Sequence, residues 1–142
     1  MTSPTFSLWQ NFLLLVGRIM LGWIFLESGF RKLIAMDPFI ASLVRRHVPW
    51  PTLLGWIGAV TEFAGGAAIL LGLWTRCAAV AIIVFVIIAT LIGHRYWEIT
   101  DVAARRVQQS NFSKNLTILG GLILLVVTGA GRFSVDGWRR RG

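Results

Sequence analysis

Four long apolar runs, residues 12–30, 52–73, 77–93 and 115–131, take up most of this 142-residue chain. Crossing the hydrocarbon of a bilayer takes about 20 predominantly apolar residues, within a range of about 17–25, and each run meets that length. With 56% hydrophobic residues and a mean hydropathy of +0.71, the chain carries more apolar surface than a soluble fold of its size can bury. The expected fold is therefore an all-α membrane protein: a bundle of four transmembrane helices with both termini on the same side. The membrane-embedded unit is expected to be the one domain, covering residues 1–142. The first run has no basic stretch before it and is followed by Arg31 and Lys32 rather than small residues. It reads as a retained anchor, not a cleaved signal.

Two of these runs contain a charge that hydrocarbon would reject. Arg18 lies in the first and Glu62 in the second. Ionisable groups at such positions face protein or water, and they mark functional sites by default. Arg18, Gly22, Phe25, Gly29 and Lys32 recur every three or four residues and share one stripe of a helix. Gly55, Gly58, Glu62, Gly65 and Gly72 gather on one face of the second run, and small residues there let helices approach closely. The fourth run offers Thr117, Gly121, Leu124 and Thr128, the third Thr90 and His94. At about 1.5 Å per residue, Arg18 sits roughly 9 Å in from the terminal side and Glu62 about 15 Å in from the loop side. A long arginine side chain spans that difference, so an Arg18–Glu62 ion pair is expected. Arg18, Glu62 and His94 are the candidate ligand-binding residues; no catalytic residue is assignable.

The connections carry the remaining charge. Net charge is +8, and the basic residues cluster just outside the apolar runs, at Arg31 and Lys32, Arg45 and Arg46, Arg105 and Arg106, and Arg139 to Arg141. That placement suits anionic lipid head groups and not nucleic acid. The long-loop side has the larger share, so the positive-inside rule favours a cytoplasmic position for both long loops. Residues 38–48 are expected to form a short interfacial helix, residues 74–76 a tight turn, and residues 94–114 a polar loop. Glu27 and Arg31 have the spacing of an ordinary helix ion pair. Cys77 is the lone cysteine, which rules out a disulfide or multi-thiolate metal site within one chain. His47 lies in a loop, out of step with His94, so paired haem ligation is not expected and no metal site is predicted.

The residues also form a pattern that resembles the DoxX family of small four-helix membrane proteins over nearly the whole chain. The matching stretches are Arg18 with Gly22, Gly29 with Lys32, then Glu62, Gly65 and Gly66 leading to Leu71, Gly72, Leu73, Trp74, Thr75 and Arg76. The last runs from Asn115 through Gly120 and Gly121 to Gly129, Ala130, Gly131, Arg132, Phe133, Ser134, Val135 and Asp136. Ala130 stands where the family commonly has proline. The resemblance implies a multi-pass inner-membrane protein tied to redox processes. Some relatives look like the membrane subunit of a thiosulfate:quinone oxidoreductase, and others associate with detoxifying or periplasmic oxidoreductases. Cysteine pairs suited to disulfide exchange occur in several relatives and are missing here.

Within the closing motif, Gly129 and Gly131 suit a tight exit from the helix. Arg132 suits the negative end of the helix dipole, while Ser134 and Asp136 suit local backbone caps. The function implied is a membrane subunit of a quinone-linked oxidoreductase system with a buried Arg/Glu site. The alternative is a non-catalytic anchor or assembly factor, and whether the chain is itself an enzyme is left open. No cofactor is expected within the chain beyond a quinone ligand. The expected partners are the bilayer and a soluble or membrane oxidoreductase, with self-association through the glycine faces.

Overall fold

The computed structural model describes residues 6–140. Helix α1 spans Leu8–Ile34, α2 Met36–Arg45, α3 Pro51–Leu71, α4 Thr75–Gly93, α5 Val102–Thr128 and α6 Val135–Arg139, with a single 3₁₀ turn at Tyr96–Glu98. No strand occurs among the described residues. Four of the helices, α1, α3, α4 and α5, are long and apolar enough to cross a membrane. Their outward faces carry large apolar side chains such as Trp23, Ile57, Val84 and Leu124, all more than half exposed in the isolated chain. Lipid covers such surface without cost, whereas water would not.

Each helix end has a local cause. Ser7 and Gln10 form a reciprocal capping box at the start of α1. Pro51 opens α3, where its missing N–H removes nothing from the helix ladder. Gly72, at φ 68°, ends α3 in the left-handed conformation, and Leu73 N donates back to Ala68 O at 2.9 Å. Asp101 caps α5 by accepting from Ala104 N at 2.7 Å. That cap explains the main departure from expectation: α5 begins at Val102, not near residue 115, so most of the expected polar loop is helix. Hydropathy registers only the apolar half of this element. Its first half is polar but rich in helix-forming Ala, Arg and Gln.

α1 and α3 run antiparallel with their backbones in contact. A Cβ on Gly29 would lie 2.4 Å from Phe63 N, and one on Gly66 2.5 Å from Leu26 N. Gly65 faces away from α1, toward Ile82 of α4. The glycine face of α3 therefore serves several neighbours. Phe25, Ile69, Ala79, Ile82, Val86, Leu122 and Leu125 fill the core between α1, α3, α4 and α5. In contrast to this seam, α1 and α5 meet only sparsely, chiefly where Leu21 packs on Gly121. The bundle is tight on one side and parted on the other.

The start of α1, the α3–α4 turn and α6 gather at one end, so the first and last described helices meet on one side. The opposite end holds α2, the 3₁₀ turn and the first half of α5. There Tyr96, Trp97 and Phe112 stack edge to face with centroids 5.2–6.1 Å apart. This arrangement puts polar groups at two separate levels.

Candidate functional site

The two buried charges do not meet. Because α1 and α3 are antiparallel, each step toward the start of α1 is a step toward the end of α3. With Gly29 against Phe63 and Leu26 against Gly66, Glu62 falls opposite the stretch between Ser28 and Lys32. Arg18 falls opposite the end of α3, at Gly72. The expected Arg18–Glu62 pair is thereby corrected: both groups are buried, but they belong to different ends of one helix seam.

At the terminal end, Arg18 is 2% exposed and clamps the segment that follows α5. Its Nη1 donates to Ala130 O at 2.6 Å and its Nη2 to Phe133 O at 2.7 Å. Gly72 makes room for the guanidinium, since a Cβ there would lie 2.7 Å from Nη1. Asn11 joins the same clamp, its Oδ1 accepting from Arg132 N at 2.6 Å while its Nδ2 donates to Phe6 O and Ser7 O. Sequence reasoning passed over Asn11; the signal was a polar residue two helical turns before Arg18 on the same face. Gly129 and Gly131 turn the chain with φ 74° and 75°. Ser134 caps α6 locally, accepting from Gly137 N at 2.9 Å.

Asp136 does not cap its own neighbourhood, as the sequence suggested. Its carboxylate accepts from Trp74 N, Thr75 N and Thr75 Oγ1 at 2.8–2.9 Å, capping the start of α4. Partial burial pushes this carboxyl up, but the donors of Thr75 and Trp74 and the charge of Arg140 outweigh it. The group is held below the ordinary carboxylate range.

At the loop end, Glu62 is 5% exposed and ion-paired with Lys32. Ser28 Oγ donates to its other oxygen at 3.2 Å. The Lys32 ammonium also lies over the rings of Phe39 and Phe85, 5.1 and 5.6 Å from their centroids. These rings open onto a cavity of about 640 Å³ between α2, α3 and α4. Its walls are apolar, with Leu54, Ile57 and Ile88 among them, and Lys32 and His94 supply polar edges. His94 sits just past α4, with Nδ1 2.7 Å from Gln108 Oε1. Arg46 closes the cavity's end by donating to Gly93 O at 2.7 Å, where the α4 dipole favours a cation. Of the three candidate ligand residues, Glu62 (through Lys32) and His94 thus converge on one hollow, and Arg18 stands apart. No group of His, Cys, Asp and Glu among the described residues is arranged to hold a metal ion.

Four membrane-length helices that bury Arg18 and Glu62 between them, beside an apolar cavity edged by Lys32 and His94, define a multi-pass membrane protein. The chain belongs to the DoxX family, whose model matches residues 13–95. It is 36% identical over 124 residues to inner membrane protein YphA of Escherichia coli (strain K12), covering 87% of this chain and 88% of that protein. It is 33% identical over 122 residues to inner membrane protein YqjF of the same organism, covering 86% of this chain and 88% of that one. A more distant relative is the uncharacterized membrane protein Rv3486 of Mycobacterium tuberculosis (strain ATCC 25618 / H37Rv), 28% identical over 133 residues, with 84% and 76% covered. No solved structure matches the chain. It is a multi-pass protein of the inner membrane, like the two Escherichia coli relatives.

Proposed function

We propose that this protein is the membrane subunit of a redox system and that it holds a quinone in the cavity between α2, α3 and α4. The observation that carries the reading is the pairing of apolar walls with a buried proton-bearing ion pair at one edge. A quinone is an apolar tail joined to a ring whose carbonyl oxygens accept hydrogen bonds. Apolar walls with a few placed polar groups are what such a ligand requires. Lys32 has three N–H donors, and Glu62 takes one. The others are available to a ring carbonyl from the cavity side. Reduction of a quinone consumes a proton for each electron, and in this reading Lys32, restored through Glu62, passes it to the ring oxygen. His94 offers a second proton-handling group on the same cavity. The electrons come from a partner oxidoreductase carrying its own cofactor.

The test is quinone retention by protein purified from native membranes. Wild-type protein is expected to retain quinone in lipid extracts, and Ala89→Phe, which fills the cavity from α4, to lose it while melting normally. Equal quinone in both, or none in the wild type, would overturn the reading.

One observation favours the anchor reading instead. Residues 102–114 of α5 are mostly exposed, Arg105 and Arg106 among them, a surface suited to an acidic partner. Under that reading, Arg105→Glu with Arg106→Glu abolishes partner recruitment and Ala89→Phe leaves it intact.

A further inference from the structure

Arg18 lines a second hollow, a groove of about 440 Å³ where α1 and α5 part. Leu13, Leu14, Leu21, Leu124 and Leu125 make its apolar walls, and Arg18 is the one charged residue lining it. Ion pairs among the described residues join Glu27 to Arg31, Lys32 to Glu62 and Arg95 to Glu98; none includes Arg18. Its Nη1 and Nη2 are satisfied by neutral carbonyls, but Nε is buried with no hydrogen-bond partner. Asp136 attracts this cation only through space, without a direct ion pair, and the unmade hydrogen bond at Nε is a further cost.

The level of this charge identifies what can reach it. Arg18 springs from the middle of α1, yet its guanidinium bonds carbonyls beyond Thr128, where α5 ends, and packs on Gly72, just past the end of α3. The guanidinium thus lies level with the ends of α3 and α5, and the ends of membrane-spanning helices are where anionic lipid head groups are met. From there the groove descends between leucines toward the Leu21–Gly121 contact, and a Cβ built on Gly17 meets nothing within 4 Å.

We propose that this groove binds an anionic phospholipid of the surrounding bilayer. The phosphodiester supplies Arg18 Nε with the acceptor that the protein does not, and one acyl chain lies between α1 and α5. Charge complementarity at the interface, followed by oil at depth, matches a lipid better than a soluble anion. This site is independent of the quinone cavity, which lies at the other end of the bundle.

The open space at Gly17 supplies the test, because Gly17→Leu fills the groove without displacing protein. Native mass spectrometry would compare wild type and Gly17→Leu after exposure to dioleoylphosphatidylglycerol or dioleoylphosphatidylcholine. The wild type is expected to retain the anionic lipid with about tenfold preference, the size of one charge-assisted hydrogen bond. Gly17→Leu is expected to lose that preference while keeping the wild-type melting temperature. Equal retention of both lipids by the wild type, or an unchanged preference in Gly17→Leu, would overturn the proposal. The second outcome would assign the preference to the exposed basic residues instead.

Discussion

Glu62 shows what a single buried carboxylate demands of its neighbours. Its oxygens are met by Lys32 and Ser28, both on α1. Lys32→Met leaves that charge unpaired in an apolar seam, and losing one partner of a buried pair costs about 3–5 kcal/mol. Thermal melts of the detergent-solubilised protein should therefore show Lys32→Met well below the wild type. Lys32→Met with Glu62→Leu should recover most of the loss; if the double variant melts no higher than the single, the pair is not what holds this position.

Asp136 gives a second residue-scale prediction, with a sign. Its carboxyl is depressed in the folded protein, so its contribution is full above the unfolded value of about 3.9 and fades as pH falls through the lower folded value. Asp136→Asn should melt below the wild type at pH 7, and the gap should narrow as pH falls below about 3.9.

How far the sequence revealed these partners can be judged residue by residue. That Arg18 and Glu62 turn inward was legible, because oil excludes charge from any other place. Which cation faces Glu62 was not legible. Arg18 and Lys32 share one stripe, and choosing between them needs the register of α1 against α3. Contacts such as Gly29 against Phe63 set that register, and they exist only once the helices have packed. Asp136 escaped for a related reason: its partners Trp74 and Thr75 are remote in the chain and near only in the fold.

At the scale of elements, α5 combines two materials. Its apolar half packs on α4, with Leu122 and Leu125 buried, whereas residues 102–114 are mostly exposed. Hydropathy found the first and took the second for loop. Packing contributes little to that polar half, so its start depends on the Asp101 cap. Removing a helix N-cap costs about 1 kcal/mol. Asp101→Ala should speed hydrogen exchange at Ala104 and the adjoining amides severalfold, with exchange around Leu122 unchanged. Uniform exchange along α5 in both proteins would mean that the cap does not set this boundary.

For the whole molecule, the contrast that matters is between a seam without slack and a parted one. Gly29 touches backbone across α1–α3, and an added methyl there must push the helices apart. Gly17 faces empty space on the same helix, where replacing Gly by Ala in a helix gains up to about 1 kcal/mol. Gly29→Ala is expected to lower the melting temperature by many degrees and Gly17→Ala to hold or raise it, as read by the same assay. Similar melting of the two variants would show that the α1–α3 contact is looser than its geometry.

The Arg18 clamp also imposes an order on biogenesis. Its acceptors, Ala130 and Phe133, lie 112 and 115 residues downstream, so the ribosome releases them long after the arginine has entered the membrane. Until they arrive, the nascent protein carries an unsatisfied cation among lipids. A polypeptide stopped short of that segment would lack both acceptors permanently.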